Sequence, residues 1–542
     1  MDYELARKEL WQLGGVQRVN FFLICLPILF TAMFDLTYVF TAGDVNYRCA
    51  VAECDGDQPQ LRPAWLRQAV PHRMMPGGTL EPQRCLRYAP APGGGNANAT
   101  GPRQDCVVGG SIVQCSAFVF DPLESTIVSE FGLTCDQEWK RSVPGTVNNI
   151  GQFIGLPLAG FISDKIGRKK SLVFSASLVC LLGLLRSFTW SFNSFIALEF
   201  LDAVVNGGIY FSSFILGIEM VNPRRRVLAG TILSVSYSLG ESLLGAIAMF
   251  VKSWRTLLRV IYAPTILFLT YSWLIPESTR WLVSQGHLDK VRNALCSEAR
   301  KNGVNMSTKV LDKLEDKPEG AERKDDRSTE SMLLKLVRSR RLMLRFLNCC
   351  TCELTNAFVY VGLTLTSVAV AGDKNVNFVL VGLVEVPASV VTYYTMDRFS
   401  RRLYQATSLM LCAACLFALA ATPAGCYSTR LYLFLFCKLV ISVSYTTLHV
   451  YASEMFPTPI RHSVISTSCM VSRLGTMVAP ITPLLMNYMY SLPLILFGSM
   501  SLVSGLLAFS FPETLRKDLP DTVEEAENIG SSREHAPTVK IC

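Results

Sequence analysis

Eight ionisable residues interrupt long apolar stretches of this sequence, where a charge is costly. The acids are Asp35, Glu199, Asp202, Glu241, Glu353 and Glu385, and the clear bases are Lys438 and Arg473. A charge at the centre of a bilayer costs ~2.5–3.5 kcal/mol on insertion scales, so such residues usually face a cavity or a partner. Six acids against two bases predict an acidic interior, which favours a cationic or zwitterionic cargo.

Two of these residues lie in distinctive local sequences. Glu385 stands two positions before Pro387, and the proline frees a backbone carbonyl beside the carboxylate. Arg473, in Ser-Arg-Leu-Gly, supplies a guanidinium to another apolar run. A group that binds ammonium and a group that binds carboxylate suit a zwitterion if they share one cavity. A structural ion pair remains the alternative for each.

Polar and aromatic residues at helical spacing extend the set. Glu353, Asn356 and Tyr360 would share one helix face. Tyrosines in the apolar runs could contact an amine through cation–π interactions, although such residues more often serve packing. The predicted cargo-binding residues are Arg473, Glu385, Glu353, Asn356, Tyr360, Tyr445, Lys438 and Tyr237.

The elements that must position these residues are membrane helices. Half of the 542 residues are hydrophobic and only 17% are charged, whereas soluble domains carry about 25% charged residues. Apolar runs of about 20 residues, the length of a spanning helix, recur twelve times without the alternation of a membrane barrel. They lie near 20–42, 143–163, 171–189, 195–220, 228–251, 256–275, 344–367, 377–396, 403–423, 429–452, 462–486 and 491–511.

Basic residues in the short loops set the orientation. Lys and Arg cluster at 165–170, 224–226 and 398–402, while the alternate loops carry few bases. By the positive-inside rule, both termini are predicted to be cytoplasmic. The predicted order is a cytoplasmic N-terminus at 1–19, helix 1 at 20–42, an extracellular loop at 43–142, helices 2–6 at 143–275, a cytoplasmic linker at 276–343, helices 7–12 at 344–511 and a cytoplasmic tail at 512–542.

The loop 43–142 has the composition of an oxidised, translocated segment. An even number of cysteines there predicts up to three disulfides, with 15 connectivities open. These cysteines are Cys49, Cys54, Cys85, Cys106, Cys115 and Cys135. The sequon Asn98-Ala-Thr in the same loop predicts a glycan on Asn98. Zinc binding is the alternative for the cysteines, but the loop has no CxxC pair and only one histidine, His72.

Several motifs occur twice, six helices apart. Asp164 and Arg168 in the loop between helices 2 and 3 are echoed by Asp397 and Arg398 between helices 8 and 9. Such an echo indicates two related six-helix halves. The other repeated pieces are the acid–arginine pairs Glu219 with Arg226 and Glu454 with Arg461, and the segments that begin Pro276-Glu277-Ser278 and Pro512-Glu513-Thr514.

Together with the six-cysteine loop, these motifs resemble the solute carrier 22 family, the organic cation, carnitine and organic anion transporters. The resemblance runs from helix 1 to Gly530 and is strongest to the insect-type organic cation transporters and the carnitine branch. It implies an all-α integral membrane protein with the major facilitator fold, twelve transmembrane helices in two six-helix halves. It also implies that the repeated residues close the inner gate through ion pairs between the halves, with plain topology signalling as the alternative.

The resemblance predicts transport of small organic cations or zwitterions across the plasma membrane by alternating access. An organic anion carrier is the alternative favoured by Arg473. A receptor without transport also stays open, because Glu199 and Glu353 stand where relatives commonly have Arg and Trp. A sodium ion or a proton could be coupled, and the oligomeric state is open. No P-loop, nucleophile elbow or HExxH motif occurs, so neither an enzyme, a metal, a cofactor nor a nucleic-acid partner is expected.

Overall fold

The computed structural model describes residues 15–302 and 338–529. Within these ranges, gaps fall at 53, 75–79, 91–107, 222–224, 371, 397, 424, 458–459, 487, 516, 518–519 and 521–522. Twelve membrane helices occupy the described part of the chain. They are α1 (Gly15–Leu36, continued by Tyr38–Thr41), α2 (Val143–Ile166), α3 (Arg168–Arg186), α4 (Phe192–Met220), α5 (Arg226–Phe250), α6 (Trp254–Leu274), α7 (Arg340–Thr366), α8 (Lys374–Thr395), α9 (Arg401–Ala421), α10 (Tyr427–Met455), α11 (Arg461–Val478) and α12 (Leu492–Ala508).

Eight of these described helices are long and apolar enough to cross a membrane by length and composition alone. The other four are α2, α3, α7 and α12. Helix α2 carries buried polar side chains, and α3 and α7 each begin with basic residues. Helix α12 has 17 residues. The polar positions lower the mean hydropathy of α2, α3 and α7, and some of them supply part of the site described below, whereas α12 is apolar but short.

Local sequence explains where several helices begin. The side chains of Ser191, Ser339 and Ser400 accept hydrogen bonds from backbone N–H groups in the first turns of α4, α7 and α9, as N-cap residues do. Asp373 caps α8 in the same way. Gly167 separates α2 from α3 with φ at +106°, a conformation that favours glycine.

Close helix packing within the first half depends on small residues. Helix α2 packs against α4, and a Cβ on Gly155 would lie 2.1 Å from the Val204 carbonyl oxygen. Only glycine lets the two backbones approach to this distance. In the second half, α7–α12, the equivalent pair α8 and α10 is in contact, and α9 also packs against α12 and α7 against α11.

The described residues of the segment between α1 and α2, which spans 43–142, form a small folded cap, and its side of the membrane is called here the cap side. The cap contains three antiparallel strand pairs: β1 (Tyr47–Cys49) with β6 (Phe118–Phe120), β2 (His72–Met74) with β3 (Leu80–Pro82), and β4 (Leu86–Pro90) with β5 (Val108–Gln114). The opposite side, which carries the segment between α6 and α7, is called the linker side.

Disulfides fix the cap. Cys49 bonds to Cys115, Cys85 bonds to Cys135, and Cys54 is also disulfide-bonded. The second bond joins Cys85, the residue before β4, to the short helix Cys135–Arg141 that leads into α2, so the cap is anchored to the first half. Cys106 and the predicted glycan acceptor Asn98 lie outside the described residues.

The two halves meet on the cap side of the membrane. Helix α5 packs along α8, and α2 packs against α11. Phe40 meets Phe378 edge to face, with ring centroids 4.9 Å apart. A Cβ on Gly382 would lie 2.5 Å from the hydroxyl oxygen of Ser242. This tight contact closes the central region toward the cap.

Candidate functional site

A glutamine joins the two halves at the centre of the membrane. The Gln152 side-chain N–H group donates to Asp35 Oδ1 (2.9 Å), and its carbonyl oxygen accepts from Arg473 Nη1 (3.0 Å). Asp35 also accepts from Asn206 (2.6 Å) and Tyr237 (3.1 Å). A carboxylate of the first half and a guanidinium of the second thus flank one amide. Asp35 and Arg473 both keep part of their surface exposed.

A buried ion network supports this cluster from the first half. Arg186, the last residue of α3, contacts the carboxylates of Glu199 and Asp202, and all three residues are at most 1% exposed. Tyr262 accepts from Arg186 (2.9 Å) and donates to Asp202 (2.5 Å). Glu199 in turn accepts from Asn148 (2.8 Å), whose carbonyl oxygen accepts from Gln152. The network therefore fixes the position of the Gln152 amide.

A second charged cluster lies between α5, α8 and α10. Lys438 Nζ is 2.8 Å from Glu385 Oε1, and it lies 3.3 Å from the centre of the Tyr360 ring. Ser238 of the first half donates to Glu385 (2.9 Å), and Glu241, one turn further along the same helix, is buried next to this contact. The predicted ammonium-binding residue Glu385 is therefore already paired with a lysine.

A third pair lies on the linker side of the centre. His449 Nδ1 is 3.0 Å from Glu353 Oε1, and the Glu353 side chain has no exposed surface. Tyr445 stands between this pair and Tyr360. It stacks on Tyr360 with centroids 5.4 Å apart and meets His449 edge to face at 4.8 Å. Asn356, predicted on the same face as Glu353, accepts from Ser444 (3.0 Å).

Comparison with known proteins identifies the family to which the chain belongs. The profile of the sugar (and other) transporter family matches residues 128–525. The chain belongs to this transporter family. Its fold is that of the major facilitator transporters, and it moves its cargo by alternating access. The inward-open xylose transporter XylE from E. coli has this fold, with a TM-score of 0.57 at 18% identity over 74% of this chain and 93% of that one.

The curated relatives are more similar in sequence to this transporter. It is 28% identical to the organic cation transporter protein of Drosophila melanogaster, over 98% of this chain and 95% of that protein. It is 29% identical to the human organic cation/carnitine transporter 2, over 97% and 94%. The resemblance that the repeated motifs and the cysteine loop predicted is thereby confirmed.

The repeated motifs form matching structures at the linker-side rims of the transporter's two halves. In the first half, Glu277 accepts from the Lys169 backbone N–H at the start of α3 (2.9 Å), and Glu219 accepts from the Ser278 hydroxyl (2.5 Å). In the second half, the equivalent contacts are from the Arg401 N–H to Glu513 (3.0 Å) and from the Thr514 hydroxyl to Glu454 (2.6 Å).

The predicted gate residues make contacts within single halves. Asp164 pairs with Arg168 (2.5 Å), and Glu454 with Arg401 (3.3 Å). Arg461 donates to the Phe456 carbonyl oxygen (3.4 Å). Arg226 begins α5, and Arg398 is exposed between α8 and α9. Asp397 lies outside the described residues. These contacts accompany halves that are closed on the cap side, the arrangement in which an inner gate would be open.

Sequence reasoning missed three important residues. Arg186 is the partner of Glu199 that the sequence did not reveal, although it interrupts the third apolar run at Leu-Leu-Arg. His449 lies four residues after Tyr445 in the tenth run, and Gln152 lies in the second. Arg186 and His449 correct the count of two membrane bases to four, so the six acids are more nearly balanced than expected.

Proposed function

We propose that the transporter carries small organic cations or zwitterions, and that Asp35 and Arg473 bind the two ends of a zwitterion. The Gln152 amide carries the proposal, because its carbonyl oxygen faces a guanidinium and its N–H group faces a carboxylate. These are the positions in which a cargo carboxylate and a cargo ammonium would be stabilised. The neutral amide presents its acceptor to Arg473 and its donor to Asp35, as a zwitterion would present its carboxylate and its ammonium. A zwitterion could therefore displace it.

The surrounding residues suit an organic amine. Tyr237 and Asn206 orient Asp35, while Tyr445 is stacked on Tyr360, whose ring already contacts Lys438, and offers its own ring to an amine. Aromatic faces attract ammonium groups through cation–π interactions. Glu385 and Lys438 neutralise each other, so we assign Asp35 rather than Glu385 to the ammonium. The relatives named for organic cations and carnitine agree with this cargo class.

An organic anion is the second candidate, because Arg473 alone would bind a carboxylate. Asp35 argues against it, since this carboxylate is linked to Arg473 through one amide and would repel a second negative charge. A zwitterion satisfies both groups. Lys438 is fully buried against Glu385 and Tyr360, so it adds no free positive charge for an anion.

For the setting, we infer a plasma-membrane protein with the cap outside and both termini in the cytoplasm. The basic loops on the linker side and the disulfides of the cap support this orientation. The gate role of the rim residues and the glycan on Asn98 belong to the same proposal. Glycosidase treatment of surface protein should raise the mobility of the wild type and leave Asn98→Gln unchanged.

The test of the cargo class uses a zwitterion and its decarboxylated amine analogue. Removing one partner of a desolvated charge pair typically costs about 2–5 kcal/mol, roughly 30- to several-thousand-fold in affinity. Arg473→Ala should weaken inhibition by the zwitterion by such a factor and leave the amine nearly unchanged. Asp35→Asn should weaken both ligands, because both carry the ammonium.

Inhibition constants are measured at matched surface density, with Arg67→Ala on the exposed surface of the cap as the control arginine. Equal losses for the two ligands in Arg473→Ala would contradict zwitterion binding and make the arginine structural. A dicarboxylate that competes better than either ligand would favour the anion carrier instead.

A further inference from the structure

Two carboxyl groups from opposite halves meet beneath the cap-side contact. Glu241 of α5 lies beside Glu385 of α8, because Ser238, one turn before Glu241, donates to Glu385 (2.9 Å), and Ser242, which follows Glu241, packs against Gly382, one turn before Glu385. The two acids are 1% and 4% exposed. Two ionised carboxylates side by side in the interior repel each other, and a proton on one of them removes the repulsion.

The charges around this pair also indicate one bound proton. Lys438 Nζ lies 2.8 Å from Glu385 and has no exposed surface, so one cation faces two acids. Among the described residues, the other titratable groups near Glu241 are phenols, which are neutral donors at physiological pH. These phenols are Tyr360 of α7, Tyr237 of α5 and Tyr38 of the α1 extension. A buried and unbalanced carboxylate is strongly disfavoured, and protonation removes the excess charge.

The site is covered from the cap side only while the halves are closed. The Ser242 hydroxyl lies 3.4 Å from the Val379 carbonyl oxygen, and the Phe40–Phe378 contact lies nearer the cap. Glu241 belongs to the first half, whereas Glu385 and Lys438 both belong to the second. When the halves separate, the second half keeps a balanced ion pair and Glu241 is left alone in a water-filled opening.

We propose that Glu241 and Glu385 form a proton-binding site that opposes opening of the transporter toward the cap side. In the closed state the proton is shared between the two carboxyl groups. On opening, the O–H bond of Glu241 breaks, the proton passes to water on the cap side, and the carboxylate is solvated. Closing reverses the step, and no other reactant is needed. The proposal depends on alternating access but not on the cargo class.

The direction of the effect follows from the proton release. Because one proton leaves on each opening, a higher pH on the cap side favours the open state. The population of the open state should rise by at most about tenfold per pH unit, the limit for a single proton. Once the cap-side pH exceeds the pKa that Glu241 has in the open state, each further pH unit should approach this limit.

The experiment measures opening without any cargo. Val379→Cys places a thiol in the cap-side contact, in a Cys426→Ser background that removes an exposed free cysteine at the cap-side end of α10. Labelling by a membrane-impermeant maleimide is followed in intact cells between pH 5.5 and 8.5. Rates are divided by those of native Cys426 in protein without the reporter, because thiol reactivity itself rises with pH.

The normalised rate should rise with pH in the reporter protein. Glu241→Gln retains a hydrogen-bond donor toward Glu385 without a titratable proton, so its rate should be slow and flat. Glu241→Asp should retain the slope. If Glu241→Gln fails to reach the surface, Glu241→Met, which also lacks the proton, should show a flat profile. A flat profile in the parent, or an unchanged slope in Glu241→Gln or Glu241→Met, would overturn the proposal. Equal losses for the zwitterion and the amine in Arg473→Ala, with the pH slope intact in the reporter protein, would contradict the cargo assignment alone.

Discussion

The buried network around Arg186 allows a prediction in which the two ends of an ion pair behave very differently. In the described part of the chain, Arg186 is the one cation that pairs with Glu199 and Asp202, and none of the three is more than 1% exposed. Arg186→Met removes the cation and leaves two buried acids uncompensated. Breaking a buried pair in this way costs about 3–5 kcal/mol. Glu199→Gln leaves a balanced pair of Arg186 and Asp202, so its cost should be far smaller.

The magnitude can be measured as thermal stability in detergent. With about 2–4 °C lost per kcal/mol for a unit of 150–250 residues, Arg186→Met should lower the apparent Tm by about 6 °C or more. Glu199→Gln should lower it by no more than about a third of that. Combining Arg186→Met with Glu199→Gln and Asp202→Asn removes all three charges and should recover much of the loss. A Tm for Arg186→Met within 1–2 °C of the wild type, on the same scale, would refute the argument from buried charge.

Three further outcomes are expected. Asp164→Asn should reduce turnover at normal surface density, because it removes the Arg168 pair at the proposed gate; unchanged turnover would leave Asp164 a topology signal only. Gly382→Val should hold the cap side open, since even a Cβ would lie 2.5 Å from Ser242, and faster labelling of a cap-side thiol would show it. Partial burial opposes ionisation of Glu513, but hydrogen bonds from Ser400 and backbone N–H groups hold its pKa below its ordinary value. Its stabilisation is therefore complete above the ordinary pKa and is lost as the pH falls through the lowered one, so Tm scans at acid pH should flatten in Glu513→Gln.

Much of the fold could be predicted because membrane helices follow from local sequence. Apolar runs of spanning length and the doubled motifs were sufficient for a twelve-helix protein with two halves. The sequence also predicts helices α2 and α7, although their polar and basic residues make them less hydrophobic than most of the other membrane helices. The repeated Pro-Glu segments make matching contacts, because Glu277 and Glu513 accept hydrogen bonds from backbone N–H groups at the starts of α3 and α9.

The site was less predictable because pairing depends on helix arrangement. Glu385 and Arg473 could be singled out from sequence, but the pairing of Glu385 with Lys438, 53 positions later, could not. The role of Gln152 was hidden because a single amide in an apolar run carries no charge signal. Arg186 lies at a helix end, where sequence alone cannot distinguish a buried cation from one that reaches the membrane surface.

The seam between the cap and α8 has a practical consequence. Lys374 of the second half contacts Glu124 of the cap, which also faces Lys252 and is tied to the first half. This patch of surface exists only while the two halves, which move apart in each transport cycle, are closed on the cap side. An antibody fragment raised against the seam would therefore recognise a shape rather than a sequence. It would bind only the closed state and would stabilise that state from outside, without entering the cavity.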